Sequence, residues 1–235
     1  MGTLATIFMT NENFIYHIDL DYILVCENFI RSNHLASPAM FHYITYKTEY
    51  PVYTINLDNL LSELDVTQIG FSSPRFLNLT ITNWSRNGLK VGLGIENTQY
   101  YSKEKLEKYA RISEFEIEFE RVRREIDNNL PSRLCCIFLA LDNFDSRTML
   151  KNMFWDKTNF IIAPIEIKYK HRFHQADSKW IEEYEKTKHK SAIENYWLGK
   201  NFDNNPEYEY LLEGLIELCD SKDREYIKNH YVRDY

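Results

Sequence analysis

At 235 residues the chain is long enough to bury a substantial core, and a composition 44% hydrophobic and 15% aromatic excludes a disordered polymer. A formal charge of −7 excludes a global pull toward nucleic acid or an anionic membrane, though it leaves room for a local basic groove. The four cysteines lack a paired zinc spacing: Cys26 and Cys219 stand alone and Cys135-Cys136 sit in an apolar run, so buried thiols in a reducing cytosol are expected.

In chain order, Phe14 to Ile18 reads as a first strand and Leu20 to Ile30 as a helix, with apolar residues at Leu20, Ile23, Leu24 and Val25. Tyr16 and His17 lie on that strand, where an imidazole suits a hydrogen bond to a ribose hydroxyl or a carboxamide. His42 competes for the same task, and an ordinary half-buried strand histidine is the plainer alternative. Phe41 to Tyr46 and Pro51 to Ile55 read as strand pieces, and Asn87-Gly88 reads as a hairpin turn. Lys103 to Ile126 carries the clearest helical pattern, with Ile112, Phe115, Phe119, Val122 and Ile126 on one face and Glu and Arg on the other.

The next stretch, Leu130-Pro131-Ser132-Arg133-Leu134, puts a hydroxyl and a guanidinium at the mouth of an apolar strand running from Leu134 to Leu141. Ser132 suits an amide or sugar oxygen, and Arg133 suits a diphosphate in bidentate fashion. The competing role for Arg133 is to cap the preceding helix or to pair with Glu120. Asp145 to Phe154 reads as a helix, Phe160 to Tyr169 as a strand and Ser178 to Lys190 as a polar helix. If residues 167–174 are extended, Lys168, Lys170, Arg172 and His174 share a face, with Tyr169 and Phe173 on the other. Such basic-aromatic interleaving suits a single-stranded nucleic-acid groove, while a solvated strand edge guarded by lysines explains it equally.

Tyr196-Trp197-Leu198-Gly199 reads as a core anchor before a turn, with the wall of a ligand pocket as the second option. Near the C-terminus, Glu207-Tyr208-Glu209 sets two carboxylates one residue apart before a final strand or helix, Tyr210 to Cys219. In an extended segment both point the same way, which suits a reaction that develops positive charge, such as glycosidic cleavage. A solvated acidic strand start is the alternative. No Gly-rich phosphate loop of the Walker or dinucleotide type is present, which argues against a P-loop or Rossmann enzyme. The N-terminus lacks a signal-peptide pattern and no apolar run approaches membrane-spanning length, so a cytoplasmic protein without membrane contact is expected. Strands and helices in this alternation, with no repeat and no linker, predict a single α+β domain over residues 1–235.

Taken in order, the Tyr-His strand, the Pro-Ser-Arg strand mouth and the Glu-x-Glu-x-Leu-Leu run resemble the three sequence blocks of the ADP-ribosyltransferase superfamily. The Pro-Ser-Arg-Leu-x-Cys-Ile-Phe block and the Tyr-Trp-x-Gly run also resemble an uncharacterised bacterial family associated with it. The resemblance implies a split-sheet core with flanking helices and NAD as co-substrate. It implies that Glu209 stabilises the oxocarbenium ion, that Glu207 assists the acceptor, that His17 with Tyr16 holds the NAD ribose, and that Ser132 with Arg133 belongs to the central block. The chain departs from the pattern, because Glu-x-Glu usually accompanies a first-strand arginine and a Ser-Thr-Ser block. The expected function is transfer of ADP-ribose to a macromolecule, RNA or DNA through Lys168, Lys170 and Arg172 ahead of protein, in a toxin or antiphage effector with a neutralising antitoxin. A non-catalytic module keeping an NAD-like fold and an NAD glycohydrolase are the alternatives. Metal is not expected.

Overall fold

The computed structural model describes residues 12–59, 72–93, 99–154 and 159–230. In chain order these form β1 (Phe14–Asp19), α1 (Ile23–Ser32), β2 (His34–Ala36) and α2 (Pro38–Tyr46), then the 3-10 turns Pro51–Tyr53 and Leu57–Asn59. There follow α3 (Pro74–Arg86), β3 (Gly92–Leu93), β4 (Gln99–Tyr100), α4 (Lys103–Ile126), β5 (Ile137–Leu141) and α5 (Phe144–Met153). The C-terminal part adds β6 (Phe160–Asp177), α6 (Lys179–Thr187), α7 (Lys190–Trp197), β7 (Tyr208–Leu218) and α8 (Ser221–His230). Five strands pair in the order β2-β7-β5-β1-β6, with a further β6–β7 pairing, and β3 pairs with β4. The result is a mixed α/β architecture, an antiparallel sheet with flanking helices. Among the described residues no helix is long and apolar enough to cross a membrane.

Two compact units emerge, one drawn from Met1–Asn33, Leu139–Glu166 and Glu217–Tyr235, the other from His34–Phe138 and Ile167–Ile216. In the first, β1 pairs with β5 at Phe14↔Leu141 and with β6 from Phe14↔Ile165 to Asp19↔Phe160. Helix α1 buries Val25, Cys26 and Phe29 and ends at Asn33, whose left-handed φ of 60° lets its N–H reach Phe29 O. Arg224 of α8 donates to Ile30 O at 2.6 Å, satisfying a carbonyl in the last turn of α1.

In the second unit, α4 packs against α3 and α7, and α6 against α7. One core cluster gathers Tyr50, Val52, Phe76, Leu79 and Leu134, and another Phe119, Val122, Ile193, Tyr196, Trp197 and Leu211. The Tyr196-Trp197 pair is thus the anchor its composition promised, and Gly199 turns the chain after it at φ +65°. Gly214 on β7 allows a close approach, since a Cβ there would meet Tyr169 O at 2.1 Å.

Several expected elements take another form. Phe41 to Tyr46 lies in α2, because Ser37 accepts the Met40 N–H at 3.2 Å and Pro38 opens the helix, a start signal stronger than strand propensity. Pro51 to Ile55 begins as a 3-10 turn. Asn87-Gly88 closes α3 instead of a hairpin, with Asn87 at the C-cap and Gly88 at φ +79°. Cys135 N–H bonds to Ser132 O at 3.1 Å, so a turn delays β5 until Ile137. Strand β6 continues to Asp177, the polar helix expected over Ser178 to Lys190 is α6 and ends at Thr187, with a separate α7 opening at Lys190, and Tyr210 to Cys219 is strand up to Leu218.

Candidate functional site

Helix α4 starts at Ser102, whose hydroxyl accepts the Lys105 N–H, and runs 24 residues. Its buried residues are Ser113, Glu116, Phe119, Glu120, Val122 and Arg123, and each has another of them three or four positions away, which keeps one side of the helix inward. The apolar spacing correctly marks Phe119 and Val122 as inward. It wrongly assigns every Glu and Arg to solvent, because a charge can be buried when its partner is buried with it.

Three carboxylates organise the charges. Glu116 receives Arg133 Nε at 3.0 Å and Arg75 Nε at 2.8 Å. Glu120 receives Arg123 Nη2 at 2.7 Å, Arg124 Nε at 2.9 Å and the Ser132 hydroxyl at 2.8 Å. Glu213 on β7 accepts from the Tyr53 hydroxyl, from Ser132 N–H at 3.1 Å and from Arg172 Nη1 at 2.9 Å. The guanidinium of Arg133 also lies 5.2 Å from the ring centres of Phe119 and Tyr196, so its faces are covered by aromatic surface.

Glu209 joins this network near the start of β7. Arg133 Nη1 donates to Glu209 Oε1 at 2.7 Å and to the Tyr196 hydroxyl at 2.6 Å, and that hydroxyl donates to the same Oε1 at 2.6 Å. Among the described residues nothing bonds to Oε2, and 12% of the side chain stays accessible. One oxygen is therefore held by two donors while the other faces outward from the network. Burial alone would raise Glu116, but the Arg133 and Arg75 guanidiniums more than offset it and hold its carboxyl below the usual value. Burial pushes the Tyr196 phenol well up, so it stays a hydroxyl donor.

The other expected residues fall as follows. Glu207 is exposed ahead of β7, where its N–H donates to Asp177 Oδ1 at 3.1 Å and its carbonyl accepts from Ser178 N–H at 2.8 Å. Ser132 and Arg133 are buried, and their donors are taken up by protein carboxylates; the pairing with Glu120 belongs to Ser132, and Arg133 pairs with Glu116 and Glu209. Lys168 and Lys170 are exposed on β6, whereas Arg172 turns inward between Glu213 and Glu49 and over the Tyr53 ring at 4.3 Å.

Tyr16 and His17 lie on β1 in the first unit, the His17 ring stacked on Phe154 at 3.6 Å and tilted against Phe160 at 4.9 Å. His42 belongs to α2 in the second unit, its Nε2 3.2 Å from Thr48 Oγ1 and its ring edge-on to Tyr50. Sequence reasoning missed Glu116, Arg75 and the hydroxyl of Tyr196, and it named Glu120 only as a partner of Arg133. The available signal was the run Ser113, Glu116, Glu120, Arg123, which continues the helical stripe beside the apolar one.

No group of three His, Cys, Asp or Glu among the described residues is arranged to hold a metal. Cys26, Cys135 and Cys136 are buried free thiols, burial raises all three, and Cys219 is exposed. The arrangement as a whole can present an oriented carboxylate oxygen, Glu209 Oε2, beside the buried Arg133 guanidinium. A family model described as Protein of unknown function (DUF2441) matches residues 15–228. No curated protein matches the chain.

Proposed function

The chain belongs to that DUF2441 family, and from its geometry we propose that it is an NAD-dependent ADP-ribosyltransferase built on an ADP-ribosyltransferase-like core. The observation that carries the proposal is Glu209, held through Oε1 by Arg133 and Tyr196 with Oε2 open. A carboxylate fixed in this way is pre-oriented toward charge that develops on a bound sugar, so little reorganisation is needed at the moment of reaction. Cleavage of the bond between nicotinamide and ribose leaves an oxocarbenium-like carbon, which Glu209 Oε2 would stabilise.

Arg133 acts here by orienting Glu209 and not by binding the diphosphate, because Glu116, Tyr196 and Glu209 already occupy its donors. The acceptor is proposed to be a nucleic acid, RNA first, with exposed Lys168 and Lys170 on the phosphates and with protein as the alternative. In this reading the protein is a toxin or antiphage effector that works in the cytoplasm and is restrained by an antitoxin partner.

A second reading, a non-catalytic module, is favoured by one observation: Ser132 Oγ and N–H are both saturated by Glu120, Glu213 and Tyr53. The test is to incubate purified protein with adenylate-labelled NAD and a cell lysate. Label released by nuclease supports transfer to nucleic acid, and label released by protease supports transfer to protein. Free ADP-ribose alone indicates a glycohydrolase, and intact NAD in the presence of lysate rejects the enzyme in favour of the module.

A further inference from the structure

Glu207 is exposed ahead of β7, and its backbone is tied to Asp177 and Ser178. The same face of the β6–β7 pair offers another group. Arg172 on β6 meets Glu213 on β7 at 2.9 Å, so side-chain alternation puts His174 and Glu209 on that face too. Both connect to Tyr196: His174 Nε2 lies 3.2 Å from its carbonyl oxygen, and Glu209 Oε1 accepts its hydroxyl. The His174 ring also stacks on Trp197 at 5.5 Å, and Trp197 is itself fixed by its N–H to Phe119 O at 2.8 Å.

A carbonyl oxygen only accepts, so the nitrogen facing it must carry the proton. Nε2 is therefore the N–H of the ring, and in the neutral imidazole Nδ1 is left as the lone-pair site. Among the described residues nothing bonds to Nδ1. We infer that His174 is a general base of this site, its Nδ1 taking the proton from the acceptor's N–H or O–H. The inference rests on the transferase reading above. In the step, the bond between ribose C1′ and nicotinamide breaks with its electron pair leaving on nicotinamide. A lone pair of the acceptor forms the new bond to C1′, and the acceptor's proton moves to Nδ1 and then to solvent.

The groups facing His174 are Glu209 on β7, the Tyr196 carbonyl on α7, and Arg172 two residues away on β6; behind Glu209 stand Arg133 and Glu116. Burial dominates and lowers the imidazole from its usual 6.5, against smaller raising effects of the Tyr196 carbonyl and Glu209. The base form is thus complete at neutral pH and is lost only as pH falls through a value below 6.5.

The test uses the full chain with labelled NAD and an acceptor RNA. His174→Gln retains an N–H for the Tyr196 carbonyl but has no base, and transfer should fall about 10²–10⁴-fold with loss of the acid limb of the pH profile. Added imidazole should restore part of the transfer lost in His174→Ala, which a structural role would not allow. Nitrogen-15 histidine spectra of the protein alone should show the Nε2–H form. Full transfer by His174→Gln in the face of active wild type, or an Nδ1–H ring, overturns the base assignment alone. Wild-type protein that leaves NAD intact with RNA, DNA and protein acceptors overturns the transferase reading and the base with it.

Discussion

Charge and shape separate at Glu209, because Oε1 does the holding and Oε2 the facing. In Glu209→Gln the amide oxygen still accepts from Arg133 Nη1 and the Tyr196 hydroxyl, but the charge is gone. Turnover of labelled NAD should fall about 10²–10³-fold, with a melting temperature closer to wild type than that of Glu209→Ala, which leaves Arg133 without its acceptor. Undiminished turnover in Glu209→Gln would remove this residue from the chemistry. Arg133 carries the larger structural load. Arg133→Met removes one partner from Glu116 and another from Glu209, all nearly buried, and should cost about 3–5 kcal/mol in urea unfolding. Arg86→Ala, which breaks an exposed pair with Glu114, should cost no more than about 1 kcal/mol. Similar urea midpoints for the two variants would show that the buried network contributes no more than a surface pair.

Among the elements, the helix starts differ in how deeply they are set. Ser73 opens α3 by accepting the Phe76 N–H at 3.1 Å, and its hydroxyl also donates to Leu134 O at 2.6 Å in a buried setting. Ser102 opens α4 by accepting the Lys105 N–H at 3.3 Å in an exposed one. Ser73→Ala strands a buried carbonyl as well as a helix N–H and should cost about 2–3 kcal/mol, against about 0.5–1 kcal/mol for Ser102→Ala, compared by thermal unfolding. The same contrast explains what could be read in advance. β1, α1, α4 and α5 were legible because their apolar residues repeat at strand or helix period. α2 and α3 were not, since Phe41, Tyr43 and Ile44 favour strands in isolation, and the starts that override them, Ser37-Pro38 and Ser73-Pro74, resemble turns. Glu209 was legible as a carboxylate heading a strand. Its holders were not: Glu116 and Tyr196 meet Arg133 only once α4, α7 and β7 are assembled, and no local period reports that meeting.

On the scale of the whole molecule, the buried Glu116 carboxylate links stability to pH. Glu116 is held below its ordinary value of 4.5, so the folded protein releases this proton more readily than the unfolded chain. Its stabilising contribution is complete above 4.5 and is lost as pH falls through the depressed value. Urea midpoints should therefore drop on acidification below 4.5, and Glu116→Gln should flatten that drop while lowering the midpoint at neutral pH. An unchanged acid slope in Glu116→Gln would remove this residue from the linkage.

The distribution of thiols gives the molecule an internal stoichiometer. Cys219 is exposed, while Cys26, Cys135 and Cys136 are buried and raised by burial, so they offer little thiolate to a reagent. Iodoacetamide should therefore add one carbamidomethyl group to the native protein and four to the denatured chain, read by intact mass. Counting adducts on each variant, in the aliquot used for its assay, distinguishes a chain that has lost its chemistry from one that has lost its fold. Rapid addition of more than one group to native wild type would show that the buried thiols are reached without global unfolding.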